Sequence, residues 1–298
     1  MRLLITGSNG LLGQKLIKLL FDNKKVELLA TSRGENKLAE LYPQVPFQHM
    51  DIAKAEDVNR VFADFKPTHV INTAAQTNVD ICESEREAAY EMNATSVQNL
   101  VNACEEFGTH LTHVSTDFIF DGEAGPYDEE AKPNPVNYYG ETKLAAEEIV
   151  QKAKCPWAIA RTVLVYGTAH DYGRTNIVLW VKNSLENEKT IQVVDDQFRT
   201  PTLAEDLAMG CWLIAEKDAT GIFNISSDEL LTPYDMAMQV VDYFQLDGSF
   251  IKKVNASIFT QPAKRPPRTG FIIDKARREL GFKPHTFKEG IALIASQI

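Results

Sequence analysis

Cysteine is scarce in this chain, and the few cysteines form no motif. The 298 residues include only Cys82, Cys104, Cys155 and Cys211, which are scattered without a CxxC pair or a Cys/His pairing. This spacing argues against a structural zinc site, so we expect reduced thiols and no bound metal. Cys82 also lacks a neighbouring base that would activate its thiol, and we interpret it as a structural cysteine.

Long apolar runs and an excess of basic residues are also missing. The runs RLLIT and VLWV are far too short to cross a bilayer, and the chain opens on a strand-like run that leaves no room for a signal peptide. The formal net charge of −10 would repel nucleic acid and acidic membrane surfaces. We therefore expect a cytoplasmic protein, monomeric or homodimeric, that binds a small molecule.

Apolar runs alternate with amphipathic ones over the first 160 or so residues. Six runs have the pattern of strands: RLLIT, VELLATS, VPFQHMD, THVINTAA, THLTHVST and WAIARTVLVYG. Between them lie stretches with helical periodicity: LLGQKLIKLLFD, AEDVNRVFADF, EAAYEMNATSVQNLVNACEEF and TKLAAEEIVQKA. Strict alternation implies parallel strands joined by crossover helices, so we predict an α/β fold of the Rossmann type with a doubly wound sheet.

The pattern changes after about residue 165. Helical stretches are now joined by short strands and by a loop rich in proline and arginine, QPAKRPPRTG. We predict a nucleotide-binding domain over residues 1–163 and a smaller, mainly substrate-binding α/β lobe over 164–298, partly interleaved with the sheet. No Gly- or Ser-rich linker separates the halves, so they should share a crevice at the carboxyl ends of the strands, where such folds bind ligands.

A glycine pattern marks the first turn of the predicted sheet. ITGSNGLLG places Gly7, Gly10 and Gly13 between the first strand and an amphipathic helix. Glycines in this position permit a tight turn and close approach of the backbone to a pyrophosphate, whose charge meets the helix N-terminus. Because the motif lies within a βαβ unit, it predicts a dinucleotide site rather than a simple turn.

The end of the second strand lacks the acid that would bind the ribose 2′-hydroxyl of NAD. Thr31, Ser32 and Arg33 stand there, and the first acid is Glu35. Arg33 can pair with a 2′-phosphate, and Ser32 can hydrogen-bond to it. The sequence therefore favours NADP(H), with NAD(H) as the alternative and a merely solvated Arg33 as the simpler interpretation.

The stretch NYYGETKLAAEE, residues 137–148, combines a helix start with a phenol and an ammonium. Asn137 is a suitable N-cap, and Tyr139 and Lys143 are four residues apart on one helix face, whereas Tyr138 points elsewhere. A phenol ionises near pH ~10, and a nearby ammonium should lower that pKa. YxxxK alone is a weak motif, and packing is the alternative role for both tyrosines.

A second segment strengthens the case for catalysis. LTHVSTDFIFDG is an apolar strand that ends in Ser115, Thr116 and Asp117, and its end should face the cofactor crevice. A hydroxyl in that place can donate a hydrogen bond to a substrate carbonyl. The alternative is a strand end whose hydroxyls satisfy its own backbone.

These segments together resemble the extended short-chain dehydrogenase/reductase family. The matching segments are TGSNGLLG, MDIAKAEDV, VINTAAQTNVDICE, EMNATSVQNL, STDFIFDG, YGETK and RTVLVYG. Within the family, STDFIFDG, DDQFRTPT and RPPRTGFIIDKARRELGF look most like the dTDP-4-dehydrorhamnose reductases of dTDP-rhamnose biosynthesis. The resemblance implies hydride transfer from NADPH to the C4 ketone of a nucleotide-linked 6-deoxysugar.

The resemblance also implies roles for single positions. Tyr139 would be the proton donor, and Lys143 would lower its pKa and hold the nicotinamide ribose. Thr116 would hydrogen-bond the substrate carbonyl. The implied cofactor residues are Gly7, Ser8, Asn9, Gly10, Leu11, Leu12, Gly13, Ser32, Arg33, Asp51, Ile52, Ala74, Ala75, Gln76, Asn93, Tyr139 and Lys143. The expected substrate-binding residues are Thr77, Thr116, Asp117, Leu164, Asn176, Arg199 and Arg265.

Two positions depart from patterns within the family. The dehydratases carry an acid after the Thr-Asp pair, and here that residue is Phe118, which cannot protonate a leaving hydroxyl. The rhamnose reductases have a substrate-contacting tryptophan where this chain has Leu164; Trp180 or another ring would have to compensate. The first departure disfavours dehydration, and the second leaves the sugar open.

Basic residues of the second half suit an anionic ligand. Arg199, Lys264, Arg265 and Arg268 can neutralise a nucleotide diphosphate in an otherwise acidic protein, and Asn176 starts a nearby helix. Solvated charges are the competing explanation.

Two further functions remain open. One is a nucleotide-sugar epimerase on the same scaffold, in which the ketone is an intermediate. The other is a nucleotide-binding regulatory subunit like the beta subunit of methionine adenosyltransferase, which resembles the same reductases.

Overall fold

The computed structural model describes residues 1–171, 173 and 175–298. Its strands are β1 (Arg2–Thr6), β2 (Glu27–Ser32), β3 (Phe47–His49), β4 (His69–Asn72), β5 (His110–Thr116), β6 (Trp157–Thr162), β7 (Val165–Tyr166), β8 (Ile191–Val194), β9 (Thr202–Leu203), β10 (Gly221–Asn224) and β11 (Ile251–Val254). Its α-helices are α1 (Leu11–Leu20), α2 (Ala55–Phe65), α3 (Val79–Ser84), α4 (Arg86–Tyr90), α5 (Ser96–Phe107), α6 (Tyr138–Gln151), α7 (Ile177–Glu186), α8 (Ala204–Glu216), α9 (Pro233–Phe244) and α10 (Phe287–Ala295).

Seven parallel strands form the central sheet in the order β10-β6-β5-β4-β1-β2-β3. The predicted doubly wound α/β fold is therefore confirmed. Chain order reverses between β1 and β4, and a crevice at such a point is where open α/β sheets bind nucleotides.

Side-chain alternation along the strands builds two apolar layers. Leu3 and Ile5 belong to one buried cluster with residues of α1 and α8, and Leu4 belongs to the other with residues of α2, α5 and α6. Both faces of each central strand are covered, which explains why these strands are nearly continuous apolar runs in the sequence.

The second half of the chain contributes to both parts of the molecule. β10 forms one edge of the central sheet beside β6, and α8 packs on α1. A third apolar cluster joins α7, α9 and α10 to β8, which pairs with β11. The boundary at residues 163 and 164 stays a prediction.

Two predicted elements are interrupted. The run 157–167 was expected to be one strand, but it divides into β6 and β7 because Leu164 adopts a left-handed φ of 38°. The helix predicted over 87–107 contains a π-helical turn, Glu91–Thr95, which buries Asn93. Such turns often occur at functional sites.

Candidate active site

The glycine loop after β1 has the close contacts expected of a pyrophosphate site. Gly7 has a φ of 64°, and Gly10 is the N-cap of α1. A Cβ on Gly13 would lie 2.5 Å from the Gly7 carbonyl oxygen, so only glycine lets α1 approach the loop this closely. The buried Ser8 Oγ has no hydrogen-bond partner among the described residues. An NADP pyrophosphate on the helix N-terminus therefore fits this loop.

A cavity of about 300 Å³ opens beside this loop at the carboxyl ends of β1, β2 and β4. Predicted cofactor residues that line it are Gly7, Asn9, Gly10, Ser32, Arg33, Ile52, Ala74 and Ala75. Gly34, Met50, Thr73 and Met92 also line it and were not predicted. Met50 and Met92 carry no recognisable motif, so only the tertiary fold identifies them.

Asn9 fastens the glycine loop to the loop after β2. Its Nδ2 donates to Ser32 Oγ over 2.7 Å and to the Glu35 carbonyl over 2.8 Å. Ser32 Oγ also accepts from the Gly34 amide. Because Ser32 Oγ is the acceptor in both hydrogen bonds, its own hydrogen can still donate to another group. Arg33 is exposed beside it on the cavity wall. A donor and a cation therefore stand together where a 2′-phosphate would lie.

Other predicted cofactor residues support the cavity from outside its lining. Leu11 and Leu12 begin α1. Asp51 Oδ1 accepts from the Ala53 amide in a turn. Asn93 accepts from the Gln76 amide over 2.8 Å and donates to the Gln76 carbonyl over 3.0 Å.

The buried Asn93 also connects the cavity to the helix that carries the phenol. Its Nδ2 donates to Thr142 Oγ1 over 3.0 Å. The Asn93 side-chain amide therefore connects the loop after β4 to helix α6.

Helix α6 starts as the sequence predicts. Asn137 Oδ1 accepts from the Gly140 amide over 2.8 Å, and Asn137 Nδ2 donates to the Lys264 carbonyl. Tyr139 is buried on the inner face, whereas the Tyr138 ring lies under the Arg86 guanidinium at 4.5 Å. The packing role predicted for Tyr138 agrees with this contact.

Tyr139 stands against the end of β5. Its ring meets Phe118 edge-on at 5.9 Å, and its hydroxyl lies near the Thr116 side chain. Burial raises the pKa of Tyr139, and the nearby Thr116 side chain opposes that effect only in part. The expected lowering of this pKa by Lys143 is therefore wrong for this arrangement, because the ammonium faces other groups.

Lys143 is buried one turn further along α6. Its Nζ donates to the Val114 carbonyl over 2.7 Å and lies 3.1 Å from Nε2 of His113. Burial lowers the pKa of Lys143 to about 8, although the Glu147 carboxylate acts in the opposite direction. A lysine with such a pKa can change its charge near neutral pH.

Asp117 is buried behind Thr116 among three polar partners. It accepts from Thr116 Oγ1 over 3.2 Å and from the Thr269 hydroxyl, and Arg199 Nε lies 3.8 Å away. Burial raises the pKa of Asp117, and the Arg199 charge opposes that effect. Asp117 thereby anchors the Thr116 hydroxyl beside Tyr139.

The predicted substrate arginines are engaged within the protein. Arg199 is buried and donates to the carbonyls of Phe198 and Pro266. Arg265 makes a two-pronged ion pair with Asp80, with N···O distances of 2.6 and 2.8 Å. These contacts fix the loop after residue 262 over the site, and diphosphate binding by the two arginines stays a prediction.

The remaining predicted substrate residues lie on separate segments of the chain. Asn176 caps α7 and donates to the Gly167 carbonyl. Leu164 is 43% exposed despite its apolar side chain, and Thr77 is exposed at the end of the loop after β4. An exposed leucine with a left-handed φ is costly, and such residues tend to occur at ligand sites.

Cys82 packs beside Tyr139 as a structural residue. Burial raises the pKa of its thiol to about 11, so it stays protonated at neutral pH. Among the described residues there is neither a cluster of metal-ligating side chains nor a helix long and apolar enough to span a membrane.

The chain is similar to one characterised protein family over its whole length. The family profile described as RmlD substrate binding domain matches residues 1–298. The chain is 30% identical over 302 residues to the dTDP-4-dehydrorhamnose reductase of Aggregatibacter actinomycetemcomitans, with 97% of both proteins covered. It is 29% identical over 292 residues to the probable low-salt glycan biosynthesis reductase Agl14 of Haloferax volcanii, covering 97% of this chain and 96% of that protein.

A relative of a different kind matches equally well. The chain is 30% identical over 273 residues to methionine adenosyltransferase 2 subunit beta of Xenopus tropicalis, covering 90% of this chain and 78% of that protein.

Solved structures agree with the sequence relatives. A dTDP-4-dehydrorhamnose reductase from Clostridium acetobutylicum superimposes with a TM-score of 0.87 at 31% identity, covering 100% of this chain and 99% of that one. The dTDP-4-dehydrorhamnose reductase of Bacillus anthracis, solved in complex with NADP, gives a TM-score of 0.87 at 28% identity with the same coverage.

Proposed function

The chain belongs to the RmlD substrate binding domain family, and from this premise we propose that it is an NADPH-dependent reductase of the C4 ketone of a nucleotide-linked 6-deoxysugar. The relatives named as dTDP-4-dehydrorhamnose reductases support a nucleotide-sugar reductase. The observation that carries the proposal is that Tyr139 and Thr116 lie side by side at the carboxyl end of β5, with Lys143 one turn along α6.

Tyr139 and Thr116 form the proton-transfer end of the proposed site. A ketone oxygen that enters beside them accepts from the Tyr139 hydroxyl, which gives up its proton as the oxygen gains negative charge. Thr116 Oγ1 donates its single hydrogen to Asp117 in the structure, and it can donate to the ketone oxygen when the hydroxyl turns toward the substrate. Because burial raises the pKa of Tyr139, a positive charge or a water-filled path must stabilise the tyrosinate after transfer.

The cavity beside the glycine loop is the proposed NADP(H) site. Bound NADPH supplies the hydride for the ketone carbon. Ser32 and Arg33 bind the 2′-phosphate and so favour NADP(H) over NAD(H). Gly7 and Gly10, which line the cavity, leave room for the pyrophosphate. The NADP complex of the Bacillus anthracis relative supports this preference.

Leu164 bears on the identity of the sugar. Its exposed side chain stands at the break between β6 and β7, in place of the ring that we expect in a rhamnose reductase. We therefore propose a 4-keto-6-deoxyhexose on a nucleoside diphosphate, without restricting the sugar to rhamnose.

Stoichiometric NADPH oxidation with a panel of 4-keto nucleotide sugars, including dTDP-4-keto-6-deoxyhexoses, tests the proposal. A reductase consumes one NADPH for each sugar reduced. An epimerase recycles its cofactor, so isomerised sugar without net NADPH oxidation would contradict the proposal.

The similarity to methionine adenosyltransferase 2 subunit beta supports a second candidate, a nucleotide-binding subunit of another enzyme. In that case NADP(H) would bind without turnover. A Tyr139→Phe protein that binds a partner and behaves like the wild type in every activity assay would favour this candidate over the reductase.

A further inference from the structure

Two cysteines that are far apart in the sequence come together at the amino ends of β5 and β6. Cys104 lies in the last turn of α5, and Cys155 lies in the turn between α6 and β6. Both belong to the apolar cluster on one face of the sheet, and their thiols lie side by side. The pair is therefore at the opposite end of the strands from the cofactor cavity.

Two hydrogen bonds between neighbouring residues hold the two cysteine segments together. The Lys154 amide donates to Glu105 Oε1 over 2.7 Å, and these residues precede one cysteine and follow the other. The Leu111 amide donates to the Pro156 carbonyl over 2.9 Å where β5 begins to pair with β6. Because a cysteine side chain is short, this backbone arrangement keeps the two sulfur atoms close.

The two thiols differ in exposure and in acidity. Cys155 is 7% exposed, whereas Cys104 is fully buried. The Cys104 thiol lowers the pKa of Cys155, although burial acts in the opposite direction. The Cys155 thiol and burial raise the pKa of Cys104 well above its usual value. Because the thiolate is the reactive form, Cys155 is the thiol that a small oxidant would attack first.

Cys82 and Cys211 provide the contrast. Both are fully buried, and burial raises the pKa of Cys82 to about 11 and that of Cys211 to about 12. Both stay protonated at neutral pH and should react slowly. The fold thus makes one cysteine of the four more reactive and places a second thiol beside it.

We propose that Cys155 and Cys104 form a peroxide-reactive pair, in which Cys155 is oxidised first and Cys104 closes a reversible disulfide bond with it. The Cys155 thiolate attacks one oxygen of hydrogen peroxide, the O–O bond breaks, and the departing hydroxide takes up a proton to become water. Cys155 is then a sulfenic acid.

The second step uses the buried thiol. The Cys104 sulfur attacks the Cys155 sulfur, the S–O bond breaks, and the hydroxide leaves as water with the proton of Cys104. Two thiols are oxidised to one disulfide, and one hydrogen peroxide is reduced to two waters. The new bond ties the end of α5 to the turn before β6 and leaves the Tyr139 site untouched, so the inference does not depend on the proposed function.

Peroxide treatment of the folded wild-type protein, followed by alkylation and peptide mass spectrometry, tests the proposal. We expect one disulfide between the peptides that contain Cys104 and Cys155, reversed by dithiothreitol. Cys155 should lose its thiol about tenfold faster than Cys82 and Cys211. Equal rates for all four cysteines, or a bridge that forms only after unfolding in urea, would overturn the proposal.

Serine variants separate the two roles. Cys104→Ser should leave Cys155 as a sulfenic acid that dimedone labels, whereas Cys155→Ser should leave Cys104 a thiol under the same treatment. Cys211→Ser is the matched control and should form the disulfide as the wild type does. Dimedone labelling of Cys104 in Cys155→Ser, at the rate at which Cys155 reacts in the wild type, would contradict the assignment of Cys155 as the first thiol to react.

Discussion

Gly140 lies in direct contact with the backbone of Phe118. A Cβ on Gly140 would be 2.1 Å from the Phe118 carbonyl oxygen, far inside any real contact. Gly140 follows Tyr139 on α6, and Phe118 follows Asp117 after β5. The missing side chain is therefore what lets the helix approach the strand end closely enough to place Tyr139 beside Thr116.

Gly140→Ala should separate these two elements. The methyl group must displace α6 or the turn at Phe118, so we expect kcat to fall about a hundredfold, as for other displacements near 1 Å. Kinetic assays at saturating substrate measure the loss. Ala145→Gly, on the same helix away from this contact, is the control, and equal turnover in wild type and Gly140→Ala would contradict the role of this contact.

Tyr139 and Tyr138 offer a matched pair of phenols. Tyr139→Phe removes the proposed proton donor and should lower kcat by about two to four orders of magnitude, with NADPH binding retained. Tyr138→Phe keeps the ring under Arg86 and should leave kcat nearly unchanged. Steady-state kinetics measures the loss of turnover, and cofactor titration measures NADPH binding. A larger loss of kcat in Tyr138→Phe than in Tyr139→Phe would show that Tyr139 is not the proton donor.

Arg33 should decide between the two nicotinamide cofactors. Arg33→Ala removes the exposed cation beside Ser32, which should weaken NADPH binding by roughly 1.5–3 kcal/mol and NADH binding hardly at all. Fluorescence titration of both cofactors measures the difference. Lys37→Ala is a suitable control in the same loop, because Lys37 is already paired with Asp171. Equal weakening of both cofactors would remove the basis for NADP(H) selection.

Two buried histidines of β5 predict a pH dependence of stability. Burial lowers the pKa of His110 and, more strongly, that of His113, whereas both titrate near ~6.5 in the unfolded chain. Below that pH the unfolded state binds protons that the native state does not. Stability should therefore be complete above about pH 6.5 and fall as the pH is lowered, by at most ~1.4 kcal/mol per pH unit for each histidine.

Urea denaturation at several pH values measures this dependence. His110→Gln should have a flatter profile than the wild type below about pH 6.5. The burial-raised pKa values of Asp117 and Asp206 make the folded protein more stable as the pH falls, which opposes the histidine effect. Both carboxylates are present in the wild type and in the variant, so their contribution cancels in the comparison. Parallel profiles would show that His110 takes up a proton in the folded protein.

Local sequence signals were sufficient for the frame of the site. Gly7, Gly10 and Gly13 predicted the tight loop beside the proposed cofactor cavity, because a Cβ at each of them would lie within 3.2 Å of neighbouring backbone. The spacing of Tyr139 and Lys143 identified the inner face of α6 because residues four apart share a face.

Contacts between distant segments could not be predicted in the same way. The pairing of Arg265 with Asp80 and of Asp117 with Thr269 depends on how the loop after residue 262 folds over the sheet. The direction of Lys143 depends on His113, which the sequence presents only as one residue of an apolar strand. Burial then reversed the expected pKa shift of Tyr139, because desolvation cannot be judged before the packing is known.

Transfer of deuterium from stereospecifically labelled [4-²H]NADPH to a dTDP-4-keto-6-deoxyhexose tests the central claim most directly. Mass spectrometry and NMR of the product should show one deuterium at sugar carbon 4, with Tyr139→Phe giving little product. Cofactor binding without label in any keto sugar of the panel, while a partner protein is bound, would contradict the reductase.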